Sequence, residues 1–311
     1  MARKLRKRRV ISGGTLALVS SSLTALLILF ANLIVFKIAD YTKILVIAGP
    51  PIPVLLPYDV NFINTLVLFV IVLATPYALV KYMDYRWKRK VELSIPVFLY
   101  DLAGLVRAGY TVPKALEIEA EKDLGPLTSL IKKTVARIIL GEDVSRALSE
   151  TFKDQTPITR RFIETVAEAH ESGGRAAQVL SGASSHATRL EAFEEERRRS
   201  MKVYVSIIYA SIIIFMIASA FLLFFNTALY ESVRKGGGRL FAILLTPNQM
   251  KGLLYYTTLL ITAPSCIAIG KIRSGTVAEG VLHMALLYAI IAVFYTYVDY
   301  LVSMLMSFLP L

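Results

Sequence analysis

Glu164, Glu168 and Glu171 stand at i, i+4 and i+7, with Arg160 and Arg161 one turn earlier. On a helix this spacing gathers the carboxylates into one acidic stripe beside a basic pair. Such a stripe makes and breaks no bonds. Its chemistry is electrostatic docking, where charge sets the orientation and rate of association. The plainer alternative is a solvated helix face, the usual fate of a charge run. No catalytic constellation competes with it. His170, His186 and His283 are scattered, and no Cys or His grouping has the spacing of metal ligands. His170, beside Glu168 and Glu171, hints at a ligand set, but a solvated face explains it as well. No G-x-x-x-x-G-K-[ST] phosphate loop occurs, so nucleotide energy would have to come from another chain. No residue pattern requires a cofactor. Glu279 and Asp299 bracket an apolar run. An ionisable residue within a bilayer is a functional hypothesis by default, yet both lie at expected span ends, where water reaches them, and no proton path is read. Cys266 is the one cysteine, so there is no disulfide framework.

Dense helix punctuation positions the stripe. The residues predict a helix over 91–108, a second over 112–122 with Thr111 as N-cap, and a third from Gly125-Pro126 to Leu140. A fourth over 144–153 is capped by Asp143, and a fifth opens at Thr156-Pro157 and stops at Ser172 to Gly174. A sixth starts near Arg175 and continues into an apolar run. Within it Glu194 should face Arg198, and Glu195 should face Arg199, at i,i+4. At about 1.5 Å per residue, 175–202 would project roughly 40 Å. Gly109, Gly141, Gly173 and Gly174 mark the corners. Two corners share one frame, Gly-x-x-Val-x-x-Ala-Leu, in "GYTVPKAL" (109–116) and "GEDVSRAL" (141–148). In each a glycine ends one helix, a polar residue two places on caps the next, and Val, Ala and Leu form its buried face. Helix corners share this grammar, so chance also accounts for the match.

Around this charged stretch the chain is apolar: 55% of its 311 residues are hydrophobic, and mean hydropathy is +0.58. Five uncharged runs, 10–36, 60–80, 203–230, 252–270 and 280–298, hold 27, 21, 28, 19 and 19 residues. A spanning helix needs about 20, so five transmembrane helices are expected, the first uncleaved. A sixth run, 44–58, is too short to span. Its Pro50, Pro51, Pro53 and Pro57 break a helix, so it should pack at the outer surface or re-enter slightly. With the N-terminus inside, the cytoplasmic flanks carry 17 Lys and Arg against six outside, the asymmetry that fixes orientation. The expected fold is all-α: five transmembrane helices and a cytoplasmic six-helix bundle. Residues 1–80 hold the basic terminus, two spans and the proline-rich outer segment. Residues 81–202 form the cytoplasmic domain, and 203–311 hold three spans and an outer C-terminus. The net charge of +12 is largely membrane-flanking, which favours contact with the lipid bilayer and gives no nucleic-acid footprint.

Several stretches resemble one family. "IPVFLYDLAGLVRAGYTVPKAL" (95–116) resembles the opening helix and corner of the type II secretion F-domain. "GEDVSRAL" resembles its central corner, and "FIETVAEAHESGGRAAQVL" (162–180) its Glu-x-Ser-Gly-Gly segment. "GKIRSGTVAEGVLHM" (270–284) resembles the glycine-bearing cytoplasmic turn of the archaeal and tight-adherence branches. The family comprises membrane platform proteins of type II secretion, type IV pilus, archaellum and tight-adherence machines. The resemblance, over about 85–300, implies a non-enzymatic platform in the cell membrane. It would couple a cytoplasmic hexameric secretion ATPase to assembly of pilin-like subunits, and the docking residues would meet that ATPase. Many relatives carry two F-domains and this chain carries one, which implies a homodimer or a paired half-size partner. A different class, a transporter or channel subunit with a helical regulatory domain, should show charged or broken spans at mid-bilayer. Only Pro76 and Pro264 interrupt the runs, and no charge does.

Overall fold

In the computed structural model the described residues are 22–24, 26–27, 44–46, 55–235 and 245–307. The expected first span, 10–36, lies outside them except at 22–24 and 26–27, which are helical. A short antiparallel ladder pairs β1 (Ile44–Val46) with β2 (Leu55–Pro57), Ile44 opposite Pro57. The central prolines of the proline-rich run, 50, 51 and 53, lie outside the described residues. Pro57 ends its strand, where a missing donor costs little.

The helices are α1 (Val60–Arg107), α2 (Val112–Glu119), α3 (Pro126–Ile139) and α4 (Val144–Phe152). They continue with α5 (Pro157–Glu171), α6 (Ala176–Lys235), α7 (Pro247–Ser274) and α8 (Val277–Ser307). One boundary expectation is corrected. The run 60–80 and the helix expected over 91–108 form one 48-residue helix. Nothing between them breaks a helix: 81–90 contains no glycine or proline, and Asp84 and Lys88 pair at i,i+4, 2.9 Å apart. Pro76 and Pro96 each remove one intrahelical donor, and the helix continues through both. Likewise α7 continues through Pro264. The pairing on α6 also differs from expectation. Arg199 meets Glu195 as expected, at 2.6 Å, but Glu194 pairs with Arg197. Arg198 turns instead to the Tyr85 hydroxyl, 3.2 Å away.

The chain divides into two compact units, Tyr82–Ser200 and the remainder. In the first, one hydrophobic core joins all six helical segments: Phe98, Leu99 and Leu102 of α1, Leu116 of α2, Ile131 of α3, Leu148 and Phe152 of α4, Ile163 and Val166 of α5, and Leu180 of α6. The two like frames bury the same positions, Val112, Ala115 and Leu116 in one, Val144, Ala147 and Leu148 in the other. Gly109 and Gly141 take φ of 97° and 86°, a region that a side chain disfavours. The following amides close the corners alike. Gly109 N donates to Val106 O and Tyr110 N to Leu105 O; Gly141 N donates to Ile138 O and Glu142 N to Arg137 O. This is the double bond pattern of a glycine-stopped helix. The caps differ. Asp143 accepts from Arg146 N at 3.1 Å, whereas Thr111 makes no side-chain cap bond, Pro113 having removed one first-turn donor.

The second unit buries Ile63 and Val67 of α1, Ile212, Met216 and Leu223 of α6, Tyr255, Leu259 and Cys266 of α7, and Tyr288, Ile291, Tyr295 and Val298 of α8. Among the described residues four helices, α1, α6, α7 and α8, are long and apolar enough to cross a membrane. Their outward faces keep large apolar side chains exposed, among them Ile214, Phe221 and Phe225 of α6 and Leu260 of α7. Such surface is costly in water and at home in hydrocarbon. α7 and α8 form a close hairpin. A Cβ on Gly270 would overlap Gly280 N and lie 2.6 Å from Thr276 O, and one on Gly280 would lie 2.5 Å from Cys266 O. Only glycine lets the two backbones approach so nearly.

Candidate functional site

α5 carries the predicted docking residues, and its amphipathic period sorts them. Thr159, Phe162, Ile163, Val166 and Ala169 face the core. Arg160, Arg161, Glu164, Glu168 and Glu171 are exposed. The Thr156 hydroxyl accepts from Thr159 N at 3.2 Å and so fixes where the helix begins. At the other end Gly173 and Gly174 enter a three-residue 3-10 turn, Gly173–Arg175, from which α6 departs.

The five residues do not act as one strip. Arg160 and Glu164 line a groove of about 200 Å³ between α4 and α5. Its floor is Leu148, Phe152 and Ile163, and its rim carries Lys153, Arg160, Glu164, Ser145 and Ser149. Glu171 accepts a hydrogen bond from Ser145 Oγ, 2.8 Å away, which ties the stripe's end to α4. Among the described residues Glu168 and Arg161 make no side-chain hydrogen bond or ion pair. An apolar floor with a rim of both charges can seat a side chain from another protein and orient it.

The other candidates fall apart spatially. His186 packs on Phe162, ring centres 5.8 Å apart, and no group of three metal-ligating side chains exists among the described residues. Glu279 is corrected. Its sequence position predicts a watery span end, but its side chain is only 7% exposed, 3.1 Å from Arg273. His283 lies 3.9 Å from it, and the Tyr209 hydroxyl meets His283 Nδ1 at 2.6 Å. The α7–α8 turn, closed by Gly270 and Gly280, folds Glu279 inward while Arg273 stays exposed. Asp299 remains largely exposed, and its partner Lys251 is buried, 2.5 Å away.

Several polar groups escaped the sequence reading. Lys251, Tyr255, Thr258 and Thr262 recur at i, i+4, i+7 and i+11 on α7, and all are buried. Tyr255 donates to Asn64 Oδ1 at 2.7 Å, and Tyr295 donates to Ser219 Oγ at 3.0 Å while meeting Thr258 at 2.8 Å. The i, i+4, i+7 spacing was a signal, but averaging hydropathy over a run hides it. In the other unit Arg89 bridges Glu92 and Glu191, the latter at 2.8 Å, and Glu92 accepts from the Thr156 hydroxyl at 2.8 Å. One guanidinium thus joins α1, α6 and the start of α5.

Comparison with known proteins agrees with this architecture. Residues 98–224 match the family model of type II secretion system protein F. A protein of Methanocaldococcus jannaschii described as uncharacterized is 26% identical over 160 residues, covering 51% of this chain and 26% of its own. The chain thus spans about a quarter of that relative's length. No solved structure matches. The matched interval begins at the buried Phe98, takes in both glycine corners and the stripe, and ends within the apolar part of α6. On these grounds residues 98–224 form a domain of the type II secretion system protein F family, in a chain with several helices able to span a membrane.

Proposed function

We propose that this chain is the integral-membrane platform of a type II secretion or type IV pilus-like assembly machine. It couples a cytoplasmic secretion ATPase to the assembly of pilin-like subunits. The observation that carries this reading is the F-domain over 98–224, whose family consists of membrane platform proteins and not enzymes. The absence of a phosphate loop in the sequence supports a motor on another chain. The archaeal or tight-adherence branch is favoured by the relative from Methanocaldococcus jannaschii. In this reading the chain lies in the cell membrane with its N-terminus and residues 81–202 in the cytoplasm. It works as a homodimer or with a half-size partner, and it binds no nucleic acid and no cofactor.

The α4–α5 groove and the exposed stripe are the surface assigned to the motor. Reversing Glu164, Glu168 and Glu171 to lysine should weaken ATPase binding at least tenfold and stop filament assembly, with membrane insertion unchanged. Each exposed pair alone contributes about 0.2–1 kcal/mol, so single reversals should have little effect. Because Glu171 also accepts from Ser145, thermal unfolding of the triple variant is the control for loss of that internal bond and should match that of the wild type. Normal assembly by a stably accumulated triple variant would sink the docking assignment. The second reading, a transporter or channel subunit, draws on the buried polar stripe Lys251, Tyr255, Thr258 and Thr262. Solute flux into vesicles carrying the purified chain would favour it.

A further inference from the structure

Several cationic groups of the Tyr82–Ser200 unit meet an acid: Arg89, Arg137, Lys114, Lys122 and Lys153 each lie within 2.8 Å of a carboxylate oxygen. Arg107, Arg175 and Arg189 do not. Among the described residues none of the three pairs with a carboxylate, and all three line one cleft of about 660 Å³ between the end of α1 and the start of α6. Gln178, Ser181 and Ser185 share its walls. The Arg107 guanidinium is turned towards Ser181 Oγ, 3.4 Å away. Ser185 spends its proton on Ser181 O, leaving its oxygen as an acceptor and the Ser181 proton as a donor.

Three like charges converging without an acid repel one another, and an anion relieves that repulsion. Guanidinium is the group best matched to phosphate, through two parallel N–H bonds of fixed geometry. The remaining lining is glycine and alanine. No aromatic ring offers a stacking face for a nucleobase, and no apolar floor offers an anchor for a peptide side chain. The α4–α5 groove has such a floor, and this cleft differs from it in that respect. A cleft of about 660 Å³ leaves room for more than one phosphate among the three guanidiniums.

We infer that this cleft binds a ligand carrying two or more phosphate groups, recognised through the phosphates themselves. The source is either a soluble polyphosphate compound or the headgroup of a diphosphate lipid. The site is separate from the α4–α5 docking groove and does not depend on the platform reading.

The test uses the full chain in nanodiscs of neutral lipid at 150 mM salt, titrated with inorganic pyrophosphate by calorimetry. Saturable binding by the wild type, weakened at least tenfold in the triple variant Arg107→Gln, Arg175→Gln, Arg189→Gln, is the expected result. A charge-matched variant, Lys90→Gln, Lys132→Gln, Arg146→Gln, should bind as the wild type does. Repeating the wild-type titration in nanodiscs containing cardiolipin separates the sources. Competition that weakens pyrophosphate binding assigns the lipid headgroup, and unchanged binding assigns a soluble ligand. The proposal is overturned if pyrophosphate does not bind, or if the two triple variants lose binding equally. It is equally overturned if a hexaglutamate peptide binds as tightly as pyrophosphate with the same dependence on the three arginines, which would make the cleft a docking surface for an acidic protein.

Discussion

Glu119 shows how a single residue can oppose its surroundings. Its side chain is fully buried on α2. Lys122 Nζ approaches it at 2.7 Å, yet neither carboxylate oxygen has an aligned hydrogen bond. Lys122 is shared with Asp101 of α1, 2.8 Å away. Burial, opposed by Lys122, pushes the Glu119 carboxyl above its ordinary value of 4.5. The unfolded chain gives up this proton near 4.5, and the folded chain holds it to higher pH. The contribution to stability is therefore fully present below 4.5 and is lost as pH rises through the folded value. Glu119→Gln should unfold several degrees higher than the wild type at pH 7, with the difference shrinking towards pH 4. Thermal unfolding of the two proteins across that range checks this, and parallel profiles would exclude a raised carboxyl. The contrast is Glu142, whose carboxyl is held below the usual range by its hydrogen bond to Arg137, with Arg146 also near. The sequence offers Glu117, Glu119 and Glu121 as equals. Which one turns inward depends on helix phase against α1, so Glu119 could not be singled out.

At the scale of elements, the corners and the hairpin carry the argument. Gly141 takes φ of 86°, and an alanine there meets the steric penalty of the left-handed region, about 1–2 kcal/mol. Gly104 is exposed within α1 and has nothing within 4 Å of an added Cβ, so alanine there should stabilise by about 0.5–1 kcal/mol. Opposite shifts of the unfolding midpoint for Gly141→Ala and Gly104→Ala are the expected outcome, and shifts of one sign would refute the corner argument. Gly280→Ala forces a Cβ to 2.5 Å from Cys266 O. It should prise α7 from α8 at a cost of about 1–3 kcal/mol. A paired-cysteine crosslink across the hairpin would read the loss. The glycine corners and the Asp143 cap were legible because each is local, decided by residues within one turn. The unbroken α1 was not, because it rests on nothing stopping the helix between 81 and 90, and sequence punctuation marks stops better than continuations.

For the whole molecule, the decisive comparison is between the surfaces of its parts. The helices α1, α6, α7 and α8 expose apolar residues along membrane-length runs, while Tyr82–Ser200 surrounds one core with charged and polar residues. The basic asymmetry of 17 against six predicts a cytoplasmic N-terminus and an outer C-terminus. With Cys266 replaced by serine, a cysteine at position 307 should react with an impermeant maleimide in intact cells, and one at position 145 should not. The reverse labelling would overturn the orientation.

The sequence by itself determined the helical class, the apolar runs and the F-domain's corners. Each depends on composition or on contacts within a few residues, where covalent proximity does the selecting. Only the tertiary structure decided which polar groups meet. Arg89 and Glu191 are 102 residues apart in sequence, and Asn64 and Tyr255 are 191 apart. It also divided the stripe into a groove residue (Glu164), an exposed residue (Glu168) and one tied to α4 (Glu171). It drew Arg107, Arg175 and Arg189 into one cleft, since convergence of side chains from separate helices follows from packing angles that no local pattern encodes.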